Sequence, residues 1–127
     1  MASKEEIIRE VYARWNADDQ ALDLFHPDVE WLMPYPDSQG VGREEMAAAI
    51  REYNRAWAEL HLTIEEIREL DENRLVVFFI ETARGRHSGL ERANESTALM
   101  TFKEGLIVRF EGWLHRADAY AALGWER

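Results

Sequence analysis

No cysteine occurs anywhere in this chain, and only three prolines and seven glycines break its 127 residues. Without thiols there is no disulfide framework, no cysteine nucleophile and no thiolate metal site, so the fold must rest on its own core. Neither a glycine-rich phosphate loop nor a Gly-x-Ser-x-Gly nucleophile elbow is present. No apolar run approaches the roughly 18 residues that span a bilayer. The opening residues, Met1-Ala-Ser-Lys-Glu-Glu, are charged where a secretory signal would be apolar, which makes a cytoplasmic protein the expectation. Positive charge is scarce as well, with 15 basic side chains against 25 acidic ones and a net charge of −10. Such a chain repels phosphate backbones and anionic lipid, so neither nucleic acid nor a membrane is an expected partner.

What the chain does carry is apolar mass, since 46% of its residues are hydrophobic and five are tryptophan. A chain of this size removes roughly two thirds of its unfolded surface from water in one core. Residues 1–127 therefore read as a single domain, with no repeat, low-complexity tract or linker.

Ser3 followed by Glu6 has the spacing of a capping box, in which hydroxyl and carboxylate satisfy free amides at a helix start. Ile8, Val11, Tyr12 and Trp15 then form one apolar stripe at helical spacing, which stops at the turn-forming Asn16-Ala-Asp-Asp19. Leu22 and Phe25 supply a second short helical face before His26-Pro27, and Val29 to Met33 reads as the first strand. Pro34 to Gly40 holds two of the three prolines and reads as an extended loop, the best candidate for a lid. From Arg43 the positions Met46, Ile50, Tyr53 and Trp57 step by four, three and four, with Glu44 and Glu45 favouring the helix dipole at its start. Residues 61–70 fit two patterns, because Leu60, Ile64 and Ile67 would prolong that helix while Leu62, Thr63 and Ile64 suit a strand. Leu75 to Ile80 is apolar on both parities, as in a strand covered on both faces. Ser88-Gly89 and Glu104-Gly105 read as hairpin turns, and Ala117 to Leu123 as a short last helix capped by Gly124.

Two stretches, Ala21 to Trp31 and Glu104 to Leu114, each join a recognisable break to a strand of alternating character. With the order of elements between them they resemble the SnoaL-like branch of the NTF2-like superfamily over nearly the whole chain. The resemblance implies an α+β fold in which a curved mixed, largely antiparallel sheet wraps three to four helices into a cone with a pocket inside. It decides residues 61–70 in favour of a strand. It also implies a homodimer through the convex sheet face, where Trp113 would otherwise be a bare apolar patch.

Chemistry then depends on which strand faces look inward. The four histidines fall on separate elements with no spacing that converges them, so a metal site is not expected, and neither is any other cofactor. If Ser88-Gly89 is a two-residue turn, Glu81 pairs with Ser96, Phe79 with Ala98 and Val77 with Met100, all on one face. Assigning that face and Phe110, Gly112 and Leu114 to the concave side leaves Glu81 as the one carboxylate in an apolar cone. The convex side then carries Glu95, Thr97, Leu99 and Thr101 beside Arg109, Glu111, Trp113 and His115. Burial disfavours a charged carboxyl group and suits it to general acid or base work near neutral pH. The competing reading is a structural ion pair between Glu81 and Arg84 or another basic side chain. Tyr12, Tyr53 and Asn94 are candidates to orient a ligand oxygen, and Trp15, Trp31 and Trp57 to wall the cavity, with Met33 as an adaptable filler; each aromatic also suits a plain core position.

Members of the superfamily with known chemistry sharpen the expectation. Ketosteroid isomerases place a tyrosine and two acids where this chain has Trp15, Met33 and Ala98, so that catalytic set is not retained. Limonene epoxide hydrolases carry an acid on the last strand where Gly112 stands. SnoaL-type polyketide cyclases need one acid–base carboxylate in an apolar cavity, which an inward Glu81 would meet. Two functions stay open: a cofactor-independent cyclase, isomerase or hydrolase acting on a small apolar carbonyl compound, and a non-catalytic ligand-binding or dimeric association module with a self-filled cavity.

Overall fold

The computed structural model describes residues 2–33 and 38–125. Helix α1 spans Lys4–Asn16 and opens on the expected capping box, with both the Ser3 and the Glu6 side chains bonded to the other's backbone N–H. A 3-10 turn at Leu22–Leu24 leads into β1, Phe25–Leu32, which starts earlier than the Val29 boundary expected. Pro27 is accommodated because the β1–β6 register shifts between Phe25 and Glu30 and leaves the proline outside the ladder. Of the proline-bearing segment singled out as a lid, residues 34–37 lie outside the described residues, and Gln39–Val41 form an unforeseen edge strand, β2. Gly40 is needed there, because a Cβ at that position would meet the Trp31 ring at 2.8 Å.

Helix α2, Arg43–Asn54, presents Met46 and Ala47 to the core and ends before Trp57. Trp57 is thus not a fourth turn of that helix; it is the first residue of β3, Trp57–Glu69. Strands β4 (Arg74–Gly85), β5 (Glu91–Lys103) and β6 (Leu106–Trp113) follow as a meander, and α3, Arg116–Leu123, closes on Gly124 in the left-handed conformation at φ 71°. Glu104 and Gly105 both have positive φ, as a tight two-residue hairpin turn requires.

The six strands form one sheet in the order β2-β1-β6-β5-β4-β3. Only β1 and β6 run parallel; every other pair is antiparallel, so the sheet is mixed as expected. The β4–β5 turn spans four residues, since the Gly85 N–H donates to the Leu90 carbonyl at 2.9 Å. Glu81 therefore faces Asn94, Phe79 faces Ser96 and Val77 faces Ala98, two residues from the register expected. A two-residue slip preserves every face, because side chains alternate with a period of two.

The main core lies between the concave face and the helices, with Ile8, Val11 and Tyr12 of α1 and Met46 of α2 packed on Val77, Phe79, Met100 and Phe110. A smaller cluster of Val76, Phe78 and Leu99 lies on the opposite face under Tyr120, Leu123, Trp113 and Trp125. The convex surface around Trp113 is thus covered in part by the chain's own last helix and is not a bare patch. At the other edge Asn16 stands in for a missing strand, its amide donating to and accepting from the Leu62 backbone at 2.8 Å each.

Candidate ligand cavity

The concave face, α1 and α2 enclose a cavity of about 600 Å³. Its wall includes Trp15 from α1, Ile50 and Tyr53 from α2, Trp57, Leu60 and Leu62 from β3, Phe79 and Glu81 from β4, Phe110 and Gly112 from β6, and Met33 after β1. Thr97 of β5 and Trp113 of β6, expected on the convex side alone, border it as well. The aromatic part of the wall is packed edge to face, with Trp15 and Phe110 ring centroids 5.8 Å apart at 87°.

Glu81 is 6% exposed in this wall. Its Oε1 accepts a hydrogen bond from the Tyr53 hydroxyl and another from Arg92 Nη2 at 3.0 Å. The same Arg92 nitrogen donates to Tyr53 Oη at 2.5 Å, which closes a three-membered ring of acid, phenol and guanidinium. Arg92 is held in turn over the Trp57 indole, its guanidinium carbon 4.3 Å from the ring centroid. Charge-assisted bonds of this kind fix a carboxylate's position, and here both converge on a single oxygen. Oε2 makes no hydrogen bond to a described residue.

Tyr12 lies behind this wall, edge-on to Phe79 at 5.1 Å and 2% exposed. Burial, reinforced by the charge of Glu81, pushes its hydroxyl well above the ordinary tyrosine range. Neither that hydroxyl nor Asn94 Nδ2, both buried, has a hydrogen-bond partner among the described residues.

Eight of the residues singled out from sequence thus line one cavity: Trp15, Met33, Tyr53, Trp57, Phe79, Glu81, Phe110 and Gly112. Tyr12 and Asn94 share its face without lining it. Ser96 is taken out of the site, because its Oγ donates to the Leu114 carbonyl at 2.9 Å. Trp31 turns to a separate hollow beside β2. The suggested partner Arg84 points to the other face and binds Glu59 at 2.7 Å.

Arg92 is the functional side chain that sequence reasoning missed. With the assumed two-residue turn it would lie opposite Gly85, out of reach of Glu81. The true register puts it opposite Ala83, one diagonal step from Glu81 on the same face. Among the described residues no group of three or more His, Asp or Glu side chains is placed to hold a metal ion.

The family model for the SnoaL-like domain matches residues 8–110. This chain belongs to the SnoaL-like domain family. No curated protein matches its sequence. Solved structures similar to this SnoaL-like domain include an NTF2-like protein of unknown function from Burkholderia pseudomallei, at 25% identity and TM-score 0.81, covering 95% of this chain and 97% of that one. A hypothetical protein with a ketosteroid isomerase-like fold from Catenulispora acidiphila, solved with trimethylamine, aligns at 14% identity and TM-score 0.80 over 98% of this chain and 96% of its own. A candidate SnoaL-like polyketide cyclase from Jannaschia aligns at 14% identity and TM-score 0.78, covering 100% of this chain and 99% of that one. At such identities the last two likenesses speak to the fold of the SnoaL-like domain alone. No helix among the described residues is long and apolar enough to cross a membrane.

Proposed function

We propose that this SnoaL-like protein binds a small, mainly apolar carbonyl compound in its cavity and acts on it by cofactor-independent acid–base chemistry of the cyclase, isomerase or hydrolase kind. Glu81 carries the reading: a buried carboxylate in an apolar, aromatic wall, with one oxygen anchored by Tyr53 and Arg92. Its Oε2, which no described residue engages, takes a proton from a carbon beside the ligand carbonyl. As Glu81 is neutralised its hold on the Tyr53 hydroxyl weakens, and that hydroxyl, backed by Arg92, turns to the developing oxyanion. Return of the proton at another atom, or attack of the carbanion within the ligand, completes an isomerisation or a ring closure. Trp15, Met33 and Ala98 bring no acid or hydroxyl, so this chemistry does not follow the ketosteroid isomerase set.

The test starts from a thermal-shift screen against small carbonyls, epoxides and polycyclic phenols, in which a ligand at a hundred times its dissociation constant adds about 2.7 kcal/mol. On any compound turned over, Glu81→Gln is expected to abolish turnover and keep affinity within a few fold. Equal loss of both would remove the catalytic role. One observation favours a second reading: the Arg92 ion pair makes Glu81 a structural anchor in a non-catalytic binding or association module. On that reading Glu81→Gln changes stability alone.

The proposal includes residence in the cytoplasm, with which a chain that has no thiol to pair is compatible. It also includes a homodimer through the convex strip that α3 leaves open, where Arg109 lies between Glu30 and Glu111 as mixed charge suited to self-pairing. A monomer mass by light scattering at micromolar concentration would exclude that assembly.

A further inference from the structure

Cationic side chains are outnumbered in this protein, yet three arginines, Arg51, Arg55 and Arg86, line the exposed entrance of the cavity. Arg51 and Arg86 have no carboxylate partner among the described residues. Arg51 reaches Gln20 Oε1 at 3.4 Å. Arg86 donates to the backbone carbonyls of Arg55 at 3.1 Å and Trp57 at 3.0 Å. Apart from Arg43, every other described arginine has a carboxylate within ion-pair reach. In a chain with ten excess negative charges, arginines left without an acid are the exception, and two of the three sit at this entrance.

The acidic side chains of the entrance do not cancel them. Asp19 is bound by Arg14 at 3.1 Å and by the Ala21 N–H at 2.8 Å. Glu81, deeper in, is bound by Arg92. Asp18 alone adds an unpaired negative charge, and it comes from the turn after α1, whereas the arginines come from the end of α2 and the end of β4. Arg86 is also fixed in place, because its own backbone N–H bonds the Ala56 carbonyl at 2.9 Å. Its guanidinium is oriented before any ligand arrives by the bonds from Nε and Nη2 to those two carbonyls, which leave the Nη1 end of the fork for an anion and lower the entropy cost of binding one there.

We propose that the natural ligand is an amphiphilic carboxylate, whose apolar body fills the aromatic cavity while its anionic group stays at the entrance against Arg51 and Arg86. The inference rests on the small-molecule reading above and narrows its substrate class. A carboxylate matches the planar fork of a guanidinium through two parallel hydrogen bonds, a geometry that a neutral ester or amide does not reproduce. Anchoring the charged end at the entrance leaves the uncharged part of the molecule to face Glu81, so the ligand's charge does not oppose that of the base.

Matched pairs test this: the carboxylates of naphthalene, biphenyl and decalin against their isosteric carboxamides, by titration calorimetry at low and high salt. The carboxylates should bind about tenfold tighter at low salt, an advantage that shrinks as salt screens the entrance. It should fall to within about twofold in the double variant Arg51→Gln and Arg86→Gln, since tenfold is worth only about 1.4 kcal/mol of binding. Arg51→Gln by itself, which removes only an exposed contact to Gln20, should lower the preference without disturbing the fold. Carboxamides that bind as tightly as the acids, or a preference that survives loss of both arginines, would overturn the proposal and show that these side chains only close the end of α2. Binding of neutral panel compounds with no binding of either member of any pair would also overturn it and leave the cavity reading standing. If no compound of either kind binds, the small-molecule reading falls and this inference falls with it.

Discussion

Replacing Arg92 with methionine removes the cation beside Glu81 and keeps most of the apolar bulk over Trp57. The Glu81 side chain is 7% exposed and that of Arg92 34%, so the pair is intermediate between a buried and a surface one. Breaking a fully buried pair costs about 3–5 kcal/mol and losing an exposed one about 0–1. The carboxylate keeps its bond from Tyr53, and about 0.5–1 kcal/mol of cation–π attraction goes with the guanidinium. The sum is a loss of about 2–3 kcal/mol, or about 7–11 °C in melting temperature at the unfolding entropy expected for this length. The assay is a double-mutant cycle by urea and thermal unfolding at pH 7 with Arg92→Met, Glu81→Gln and the combined variant. Removing the charge on Glu81 as well should restore about 1–2 kcal/mol, the coupling expected of groups in direct contact. A loss below about 0.5 kcal/mol for Arg92→Met, or additive effects in the combined variant, would refute the claim that Arg92 holds a buried carboxylate in place.

Two further predictions concern pH. The Ala21 backbone N–H and then Arg14 hold the Asp19 carboxyl below the usual carboxylate range, and Arg14 does the same for Asp23. Because both folded values lie below the unfolded ones, the stability they contribute is present above about pH 4 and is lost as the pH falls through the lowered values. Arg14→Met should therefore melt lower than the native protein at pH 6 and converge with it in acid; a gap of the same size at pH 2.5 would contradict this account. Tyr12 is the opposite case, with a raised folded value, so its contribution is complete below the unfolded value near pH 10 and is lost as the pH rises above it. Tyr12→Phe should flatten that alkaline loss and stay within about 1 kcal/mol of the native protein at pH 7, since the hydroxyl has no hydrogen-bond partner among the described residues. A drop of more than about 2 kcal/mol in urea unfolding at pH 7 would mean that the hydroxyl is bonded in solution.

The candidate site was legible in the sequence where one local rule decided it. Strand parity alone puts Glu81, Phe79 and Val77 on one face, as in the structure. The same parity puts Arg84 on the other face, which rules out Arg84 as the partner suggested for Glu81 and leaves it to Glu59. The partner of Glu81 was not legible, because it depends on the length of one turn. Two extra residues between Gly85 and Leu90 leave every face unchanged but move Arg92 from beyond reach to a diagonal contact. Tyr53 and Trp57 were read as successive turns of a single helix. They meet at 5.9 Å across the junction of α2 and β3, because the chain leaves the helix after Asn54 and turns Trp57 back beside Tyr53 as the first residue of the strand. Arg51 and Arg86 gave no sequence signal, since what distinguishes them is the absence of a nearby acid, a property of three-dimensional neighbours.

The sequence by itself determined the local and periodic features: the capping box at Ser3, the apolar stripes of α1 and α2, the alternation of the strands, the turn at Glu104-Gly105 and the left-handed close of α3 at Gly124. Each depends on residues within a few positions of one another, where sterics and hydrogen bonding are set by the chain alone. Only the tertiary structure decided that α3 covers the convex cluster of Val76, Phe78 and Leu99, that Asn16 closes the exposed edge of β3, and that Glu81, Tyr53 and Arg92 form one ring. Those contacts join residues 11 to 46 positions apart, and their register and packing are chosen by the whole core.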